Sequence, residues 1–279
     1  MTDDTQTPAR TIVISGGTDG MGRALALGRA ARGDTVVVIG SSAAKGAELQ
    51  GEGITFIRAD LTSIAENERV AREVAERFPV VDALGLFANR PSKKRKETAE
   101  GLESVFALYY LSRHILSHRL LPRLEVAPAP VIVSVAGVGN TSGAVQWDDM
   151  QSTRKYGMIA AQLHGGRATD LLGVAFARKE TRVPFVMYHP GFTRSGDTSF
   201  LNPALRTVMY GLRVFAKPVA DSVAPIHDWI DNPPARPLTA IDRGKPVDLS
   251  LKTLDPRDAQ RLADYTADLL RTESVRKAP

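Results

Sequence analysis

The stretch that decides the fold is Thr11-Ile-Val-Ile-Ser-Gly-Gly-Thr-Asp-Gly-Met-Gly22. It opens with a short run of β-branched residues, and residues 23–32 continue with helical spacing. This order predicts a strand, a glycine turn and a helix, the context in which a glycine motif becomes specific. Glycine is needed because a side chain would block the tight turn or the approach of a pyrophosphate to the backbone. We therefore predict a nucleotide-binding turn with the phosphates at the amino terminus of the helix.

Composition bounds the class of protein. Of the 279 residues, 43% are hydrophobic and 24% are charged, as in ordinary soluble globular domains. The absence of cysteine excludes disulfides and thiolate metal sites. No run of about 18 apolar residues occurs, and residues 1–10 lack the apolar segment of a signal peptide. We predict a cytoplasmic protein that makes no membrane contact, with a flexible tail at residues 1–10.

The chain carries a net charge of +5, and four basic residues follow one another at 93–96. Nucleic-acid binding would be indicated by a basic stripe with aromatic residues interleaved. The other basic residues are scattered among acidic ones, with no such aromatic platform. We predict a solvated loop at 93–96 and no nucleic-acid partner. The alternative is a basic surface that attracts an acidic or phosphorylated ligand.

Apolar strands alternate with helices along the next part of the chain. Strands are predicted at 35–39, 54–57, 80–88, 131–135 and 183–188, and helices at 63–78, 97–121 and 155–178. Continuous apolar runs suit parallel strands that are covered on both faces and joined by right-handed crossovers. The prediction is an α/β fold, a Rossmann-type doubly wound parallel sheet, in a single domain over residues 11–279 with a small C-terminal helical lid.

The last third is less regular. Residues 196–232 are apolar with helical spacing and are predicted to form two helices of a lid over the substrate region. A proline-rich linker at 232–237 leads to a predicted edge strand at 245–249. Pro256 suits the first turn of a final helix, expected at 253–271.

The end of the second strand bears on the choice of cofactor. An acidic residue there holds the ribose 2′-hydroxyl of NAD, whereas small polar or basic groups leave room for a 2′-phosphate. Gly40-Ser41-Ser42 contains no acid, its two serines can donate hydrogen bonds, and Lys45 lies one helical turn further on. NADP(H) is therefore favoured over NAD(H).

Further motifs match one known family. They are Asp60-Leu61, Glu97–Glu103, Trp147–Gln151, His189-Pro190-Gly191 with Ser195 beyond it, and Leu254–Leu262. Together with the glycines they make the chain resemble the short-chain dehydrogenase/reductase family over nearly its whole length. The resemblance is closest to the retinol-dehydrogenase-like members.

The resemblance implies a homo-oligomer that binds a nicotinamide cofactor and a small-molecule substrate. Asp60 is implied to contact the adenine ring, and the Pro190-Gly191 loop to lie over the nicotinamide. The full set of implied cofactor contacts is Gly16, Thr18, Asp19, Gly20, Met21, Gly22, Ser41, Ser42, Asp60, Leu61, Ala88, Pro190, Gly191 and Ser195.

The family's catalytic residues are replaced. In the family a tyrosine donates a proton, a lysine four residues later lowers the pKa of that tyrosine, and a serine and an asparagine complete the relay. Aligned through segment 148–161, the tyrosine, lysine, serine and asparagine positions hold Gln162, Gly166, Gly137 and Tyr109. No tyrosine in the chain is followed by lysine four residues later, so a shifted alignment does not restore the pair.

Tyr109 and Gln162 are the candidates for replacement roles. Tyr109 could be a relocated acid whose pKa is depressed by Arg113, one turn on, or a bulky filler that closes an abandoned water channel. Gln162 can orient a ligand carbonyl but cannot transfer a proton near neutral pH. Gly166 leaves space beside the expected ribose, which another side chain such as Arg167 could fill.

No metal is predicted. His114 and His118 have the i,i+4 spacing of helical metal ligands, but no carboxylate ligand accompanies them. His164 lies two positions from Gln162, which turns it about 200° away around the helix. It is predicted to be a surface or core-edge residue.

Three functions stay open. The first is an NADP(H)-dependent oxidoreductase on a small carbonyl or alcohol, with water or Tyr109 replacing the tyrosine. The second is a non-redox enzyme, a cyclase, isomerase or lyase, on the same scaffold. The third is a catalytically inactive NADP(H)-binding regulator. We predict an enzyme of the first or second kind.

Overall fold

A computed structural model describes residues 9–51, 53–191, 193 and 217–276. The strands are β1 Thr11–Ser15, β2 Thr35–Gly40, β3 Ile54–Arg58, β4 Ala83–Leu86, β5 Val131–Val135, β6 Phe185–His189, β7 Leu238–Asp242 and β8 Lys245–Pro246. They form one sheet in the order β3-β2-β1-β4-β5-β6-β7-β8. Every neighbouring pair is parallel except β7 and β8, which are antiparallel.

Helices cover both faces of the sheet. They are α1 Gly20–Ala30, α2 Ala43–Ala47, α3 Ile64–Arg77, α4 Ser104–Phe106, α5 Ser112–Arg119, α6 Leu121–Glu125, α7 Met158–Phe176, α8 Val219–Asp231 and α9 Pro256–Arg276. A π-helical segment, Ala107–Leu111, joins α4 to α5, and a 3-10 turn, Lys252–Leu254, precedes α9. Among the described helices, none is both long and apolar enough to cross a membrane.

Alternate residues of the strands feed two separate cores. Val13 and Val37 pack with residues of α3, α5 and α7, whereas Ile12 and Val36 pack with residues of α1 and α8. Because successive side chains of a strand point to opposite faces, each strand contributes to both layers. The predicted Rossmann-type doubly wound sheet is confirmed.

The C-terminal third differs from the expectation. The sequence predicted a linker at 232–237 and an edge strand at 245–249, with no strand between them. The structure has a strand there, β7, which continues the parallel sheet beside β6. Only residues 217–232 of the predicted lid are described, and α8 within them lies against α1 with Val223, Ile226 and Ile230 buried. This helix covers the sheet rather than an opening. Residues 196–216 of the predicted lid lie outside the described residues.

The tail prediction also needs correction at its end. Residues 1–8 lie outside the described residues, but the guanidinium of Arg10 pairs with Asp231 at 2.5 Å and donates to the carbonyl of Ile230 at 2.8 Å. Its backbone N–H donates to Asp34. Arg10 therefore belongs to the folded domain.

The long helix predicted at 97–121 begins at Ser104 instead. The Glu103 carboxylate caps it, accepting hydrogen bonds from the backbone N–H groups of Val105 at 2.9 Å and Phe106 at 2.8 Å. Glu97 and Glu103 form an isolated antiparallel bridge before it. The cap fixes where the helix carrying Tyr109 starts.

We expect Glu103→Ala to lower the free energy of unfolding by about 1–2 kcal/mol, because two buried N–H groups lose their acceptor. Urea unfolding measures the change. Glu97→Ala is the control, since Glu97 is exposed and pairs only with Arg95, and it should change the value by less than about 0.5 kcal/mol. Equal effects of the two substitutions would contradict the capping role.

Candidate functional site

The glycine turn after β1 has no room for side chains. A Cβ at Gly16, whose φ is +73°, would lie 2.7 Å from the backbone nitrogen of Ala88. A Cβ at Gly22 would lie 2.4 Å from the carbonyl oxygen of Gly16. The chain therefore passes the end of β4 at backbone contact, and the first turn of α1 lies against the loop. Such a turn leaves backbone N–H groups available to a pyrophosphate.

Other predicted contacts surround this turn. Asp19 caps α1 by accepting from the N–H of Gly20 at 2.7 Å, and Met21 is buried beneath the helix start. Thr18 packs against Gly40 at the end of β2, since a Cβ at Gly40 would lie 2.7 Å from the methyl carbon of Thr18. The structure brings the carboxyl ends of β1 and β2 together as the sequence predicts.

Lys45, in the helix after β2, is a cation close to the end of that strand. Lys45 forms an ion pair with Asp19 across the gap between α2 and α1. Ser42 caps α2 by accepting from the N–H of Lys45 at 3.3 Å. Ser41 instead lines a shallow pocket of about 440 Å³ together with Arg58 and Asp60.

That pocket contains the residue expected at the adenine ring. The Asp60 carboxylate accepts from the N–H of Thr62 at 3.0 Å and from its hydroxyl at 2.9 Å, which fixes its orientation. Leu61 is buried behind it. The residues fit a dinucleotide, because the turn, the start of α1 and this pocket follow one another along the carboxyl edge of the sheet. A nicotinamide dinucleotide bound there would supply or accept a hydride.

Gln162 has a partner at the end of β4. Its side-chain N–H donates to the Asn89 amide oxygen at 3.2 Å, and the Asn89 amide donates back to its oxygen at 2.9 Å. This reciprocal pair joins α7 to the loop after β4. It presents amide groups, which hydrogen-bond but do not ionise.

Tyr109 fills the space left by the missing lysine. A Cβ at Gly165 would lie 3.1 Å from Cδ1 of Tyr109, and a Cβ at Gly166 would lie 3.6 Å from its Cε1. Arg167 does not take this space, since it binds the carbonyl of Asn140 at 2.7 Å and the carboxylate of Asp170 at 2.8 Å. The ring belongs to the π-helical segment, a feature common at functional sites.

Burial decides the acidity of Tyr109. The residue is 7% exposed. Burial raises the pKa of its hydroxyl above the ordinary value of 10.0 and outweighs the lowering by Arg113. Arg113 lowers this pKa, as the sequence led us to expect, but desolvation is the larger effect, so the net pKa is raised and not depressed. The hydroxyl has no hydrogen-bond partner among the described residues, and its oxygen is not completely buried.

Arg113 is a fully buried cation that the sequence did not mark as structural. It donates to the hydroxyl of Ser134 at 2.8 Å and to the carbonyls of Val135 at 2.9 Å and Ala88 at 3.2 Å. Its guanidinium lies 4.9 Å from the ring centre of Tyr109. Burial lowers its pKa to about 10, which leaves it charged at neutral pH.

Asp170 was missed by the sequence reasoning. It follows Gln162 and Gly166 at four-residue intervals, so all three lie on one face of α7. Burial raises its pKa to about 7 despite Arg167 and Arg113. The sequence shows a carboxyl two turns after the tyrosine position. It does not show that this carboxyl lies close to Arg113.

The vacated serine position is open. A Cβ at Gly137 would meet no atom of the described chain within 4 Å. After the neighbouring strand β6, Gly191 has a φ of +85° and Pro190 is buried, as suits the loop expected over the nicotinamide. Ser195 lies outside the described residues.

The histidines considered as metal ligands are half-buried. The rings of His114 and His118 stack at 4.1 Å, and burial lowers the pKa of each. His164 is buried in the core and accepts from the N–H of Gln146 at 3.1 Å, more deeply placed than the predicted surface or core edge. Within the described part of the chain, no group of three His, Asp or Glu side chains is arranged to hold a metal ion.

Comparison with known proteins identifies the family. A model described as short chain dehydrogenase matches residues 10–159, more than half of the chain. The chain belongs to the short-chain dehydrogenase/reductase family.

Relatives agree with this assignment. The human dehydrogenase/reductase SDR family member 12 is 29% identical over 219 residues, which are 75% of this chain and 66% of that protein. The chain thus spans slightly less than two thirds of that relative's length. An uncharacterised protein from Mycobacterium paratuberculosis has a similar structure, with a TM-score of 0.73, 22% identity and coverage of 94% of this chain and 93% of that one. Pseudomonas aeruginosa RhlG, solved as an NADP active-site complex, has a TM-score of 0.65 at 20% identity, covering 86% and 97%.

The two glycines beside Tyr109 should respond differently to alanine. Gly166→Ala is expected to raise the free energy of unfolding by up to about 1 kcal/mol through helix propensity, since its contact with the ring is ordinary. Gly165→Ala should gain less or lose stability, because the ring must shift. Urea unfolding compares them. A larger gain at Gly165 would contradict the placement of the ring.

The raised pKa of Asp170 predicts a pH-dependent effect of Asp170→Asn. Unfolded Asp170 ionises near the ordinary value of 3.8 and folded Asp170 near 7, so ionisation costs the wild type stability as the pH rises between those values. The variant should therefore gain stability relative to wild type from about pH 4 to about pH 7 and hold that gain above it. Chemical denaturation across this range is the measurement. A constant difference would show that Arg167 keeps the carboxylate ionised.

Proposed function

We propose that the chain is an NADP(H)-dependent oxidoreductase acting on a small carbonyl or alcohol. The observation that carries this proposal is the backbone contact between Gly16 and Ala88, which leaves the turn and the start of α1 free of side chains where a pyrophosphate would bind. The pocket at Asp60 supports the same site, and RhlG, which shares the fold, was solved with NADP. The homo-oligomer implied by the resemblance stays a prediction.

Lys45 supports the preference for NADP(H). It is a cation in α2, the helix that follows β2, and Gly40-Ser41-Ser42 at the strand end contains no acid to act as an NAD-selecting carboxylate. Its ion pair with Asp19 is exposed on both sides, so an incoming 2′-phosphate can compete for the ammonium group. The phosphate gains a charge-assisted hydrogen bond, which NAD cannot make.

Lys45→Ala should weaken NADPH binding about tenfold, equal to about 1.4 kcal/mol, and leave NADH binding unchanged. The reason is loss of one cation close to the expected 2′-phosphate. Fluorescence titration of each nucleotide measures the affinities. Lys179→Ala is the matched control. Lys179 is exposed and lies just after the carboxyl end of α7, away from the glycine turn. Equal losses for NADPH and NADH would contradict a 2′-phosphate contact.

The chain's own residues can orient a carbonyl substrate. The side-chain N–H groups of Gln162 and Asn89 already pair with amide oxygens at the family's tyrosine position, and either can turn to a ligand. Neither transfers a proton. Tyr109, whose ring lies beside Gly165 and Gly166, is a candidate acid, although burial raises its pKa.

The reciprocal Gln162–Asn89 pair favours a second candidate, an inactive NADP(H)-binding regulator. In that case the amides close the former catalytic face, and nucleotide binding persists without turnover. The two candidates differ in one observable, substrate-dependent loss of NADPH absorbance.

Nucleotide titration followed by a carbonyl panel tests the proposal. Cyclohexanone, benzaldehyde and phenanthrenequinone present aliphatic, aldehyde and dione carbonyls. Binding with NADPH consumption supports an oxidoreductase, whereas binding without consumption supports the regulator. No fluorescence change at millimolar NADPH or NADH would contradict both the oxidoreductase and the regulator. Abolition of turnover by Tyr109→Phe would assign Tyr109 as the acid.

A further inference from the structure

Two side chains meet at the carboxyl ends of β6 and β7. His189 and Asp242 are the last residues of these strands and are paired in the sheet register. The Nδ1 atom of His189 lies 2.7 Å from Oδ1 of Asp242. A carboxylate at Nδ1 fixes the ring so that Nδ1 carries a proton and Nε2 is available to a ligand.

The free side of His189 is accessible. Its side chain is 30% exposed, and Nε2 has no partner among the described residues. The other four histidines of the chain, His114, His118, His164 and His227, are at least partly buried, and burial lowers the pKa of each. His189 differs from them in having a carboxylate partner and an open ring nitrogen.

The pair belongs to the cofactor edge of the sheet, where open α/β folds bind their ligands. Arg243, the next residue, reaches over the chain after β6, since a Cβ at Gly191 would lie 2.9 Å from Cγ of Arg243. A Cβ at Gly139, in the loop after β5, would lie 2.9 Å from Cβ of Asp242. Gly137, the vacated serine position, is two residues earlier in that loop.

A cavity adjoins the pair. It has a volume of about 510 Å³ and is lined by Gly139, Asp242, Arg243, Lys245, Pro246, Val247 and Leu251. Its volume is that of a small-molecule site. Asp242 therefore contacts both His189 and the space in which a small substrate fits.

The backbone holds Asp242 in place. Arg243 and Gly244 form the two-residue turn between β7 and β8 with φ of +49° and +82°, the signs that a primed hairpin turn requires. Arginine rarely adopts positive φ. In this conformation its guanidinium binds both oxygens of Asp242, at 3.0 and 2.9 Å. These bonds hold the pKa of Asp242 below its ordinary value, so the carboxylate stays charged.

We propose that His189, held by Asp242, is the acid–base group that replaces the missing tyrosine and lysine. This inference rests on the proposed oxidoreductase function and names its proton donor. His189 supplies a ring nitrogen that can exchange a proton with a ligand, on a ring whose other nitrogen is held by Asp242. Tyr109, the alternative, is 7% exposed.

The proton balance is simple. In carbonyl reduction a bound reduced nicotinamide would supply the hydride of the new C–H bond, and the π pair of the C=O bond would move to oxygen. The Nε2–H of the imidazolium would give its proton to that oxygen, which leaves a neutral ring with Nδ1–H donating to Asp242. In alcohol oxidation the neutral Nε2 would take the hydroxyl proton, the O–H pair would form the C=O bond, and the hydride would pass to the oxidised nicotinamide. The charged groups facing the pair in the described residues are Arg243 and Lys245.

The first test needs neither cofactor nor substrate. Long-range 1H–15N NMR of the imidazoles reports the tautomer of each histidine, and His189→Asn identifies the His189 signal by its loss. We expect His189 as the Nδ1-protonated tautomer, and loss of that preference in Asp242→Asn. An Nε2-protonated ring, or no change in Asp242→Asn, would overturn the dyad.

The second test uses NADPH and the three carbonyl probes. His189→Asn should lower kcat by about 100-fold or more with NADPH affinity unchanged. Asp242→Asn should move the pH at which the rate is half-maximal to lower values, which a merely structural role would not do. His227→Asn, a histidine at the contact of α8 with α1, is the matched control and should keep wild-type turnover. Thermal unfolding checks that each variant is folded.

The outcomes separate the two proposals. If wild type fails to bind NADPH, the oxidoreductase function fails and the dyad as its proton donor fails with it. If wild type consumes NADPH and His189→Asn does so equally, the dyad alone is wrong. If wild type binds NADPH without turnover of any probe, the redox function fails, and the tautomer experiment shows only whether the pair exists.

Discussion

The constraint on which the structure depends is the contact of two backbones at the carboxyl ends of β1 and β4. Gly16 approaches Ala88 so closely that no Cβ fits between them. Because β1 and β4 are neighbours where the strand order changes direction, this contact defines the crevice of the doubly wound sheet. The turn, the start of α1 and the loop after β4 are all positioned by it.

The glycine turn and the residues around it could be predicted because they lie close in sequence to the strands that position them. The glycines, Asp60 and the serines after β2 lie within a short distance in sequence of the strands that place them, so strand and helix patterns were enough. β7 was missed because a proline-rich segment precedes it and its five residues carry a weak pattern. Once the strand is in register beside β6, Asp242 stands next to His189, a relation between residues 53 positions apart.

The replaced catalytic region was harder to read for another reason. Alignment located Gln162, Gly166 and Tyr109, but the consequence of each replacement depends on packing between α7 and the π-helical segment. Arg113 does lower the pKa of Tyr109, but desolvation of the phenol outweighs that effect, so the net pKa is raised. The sequence shows that Tyr109 and Arg113 are one helical turn apart, but it does not show how deeply the phenol is buried, and that burial determines the net pKa shift. Asp170 illustrates the same limit.

The ring of Tyr109 also has a consequence for the positions around it. It lies beside positions 165 and 166, so a lysine introduced at position 166 would start in contact with this ring. A smaller residue at 109 would give that lysine more room, but this change by itself would open a hole between two helices. The residues at 109, 165 and 166 are therefore coupled through packing, and the effects of changing them on stability are not expected to add.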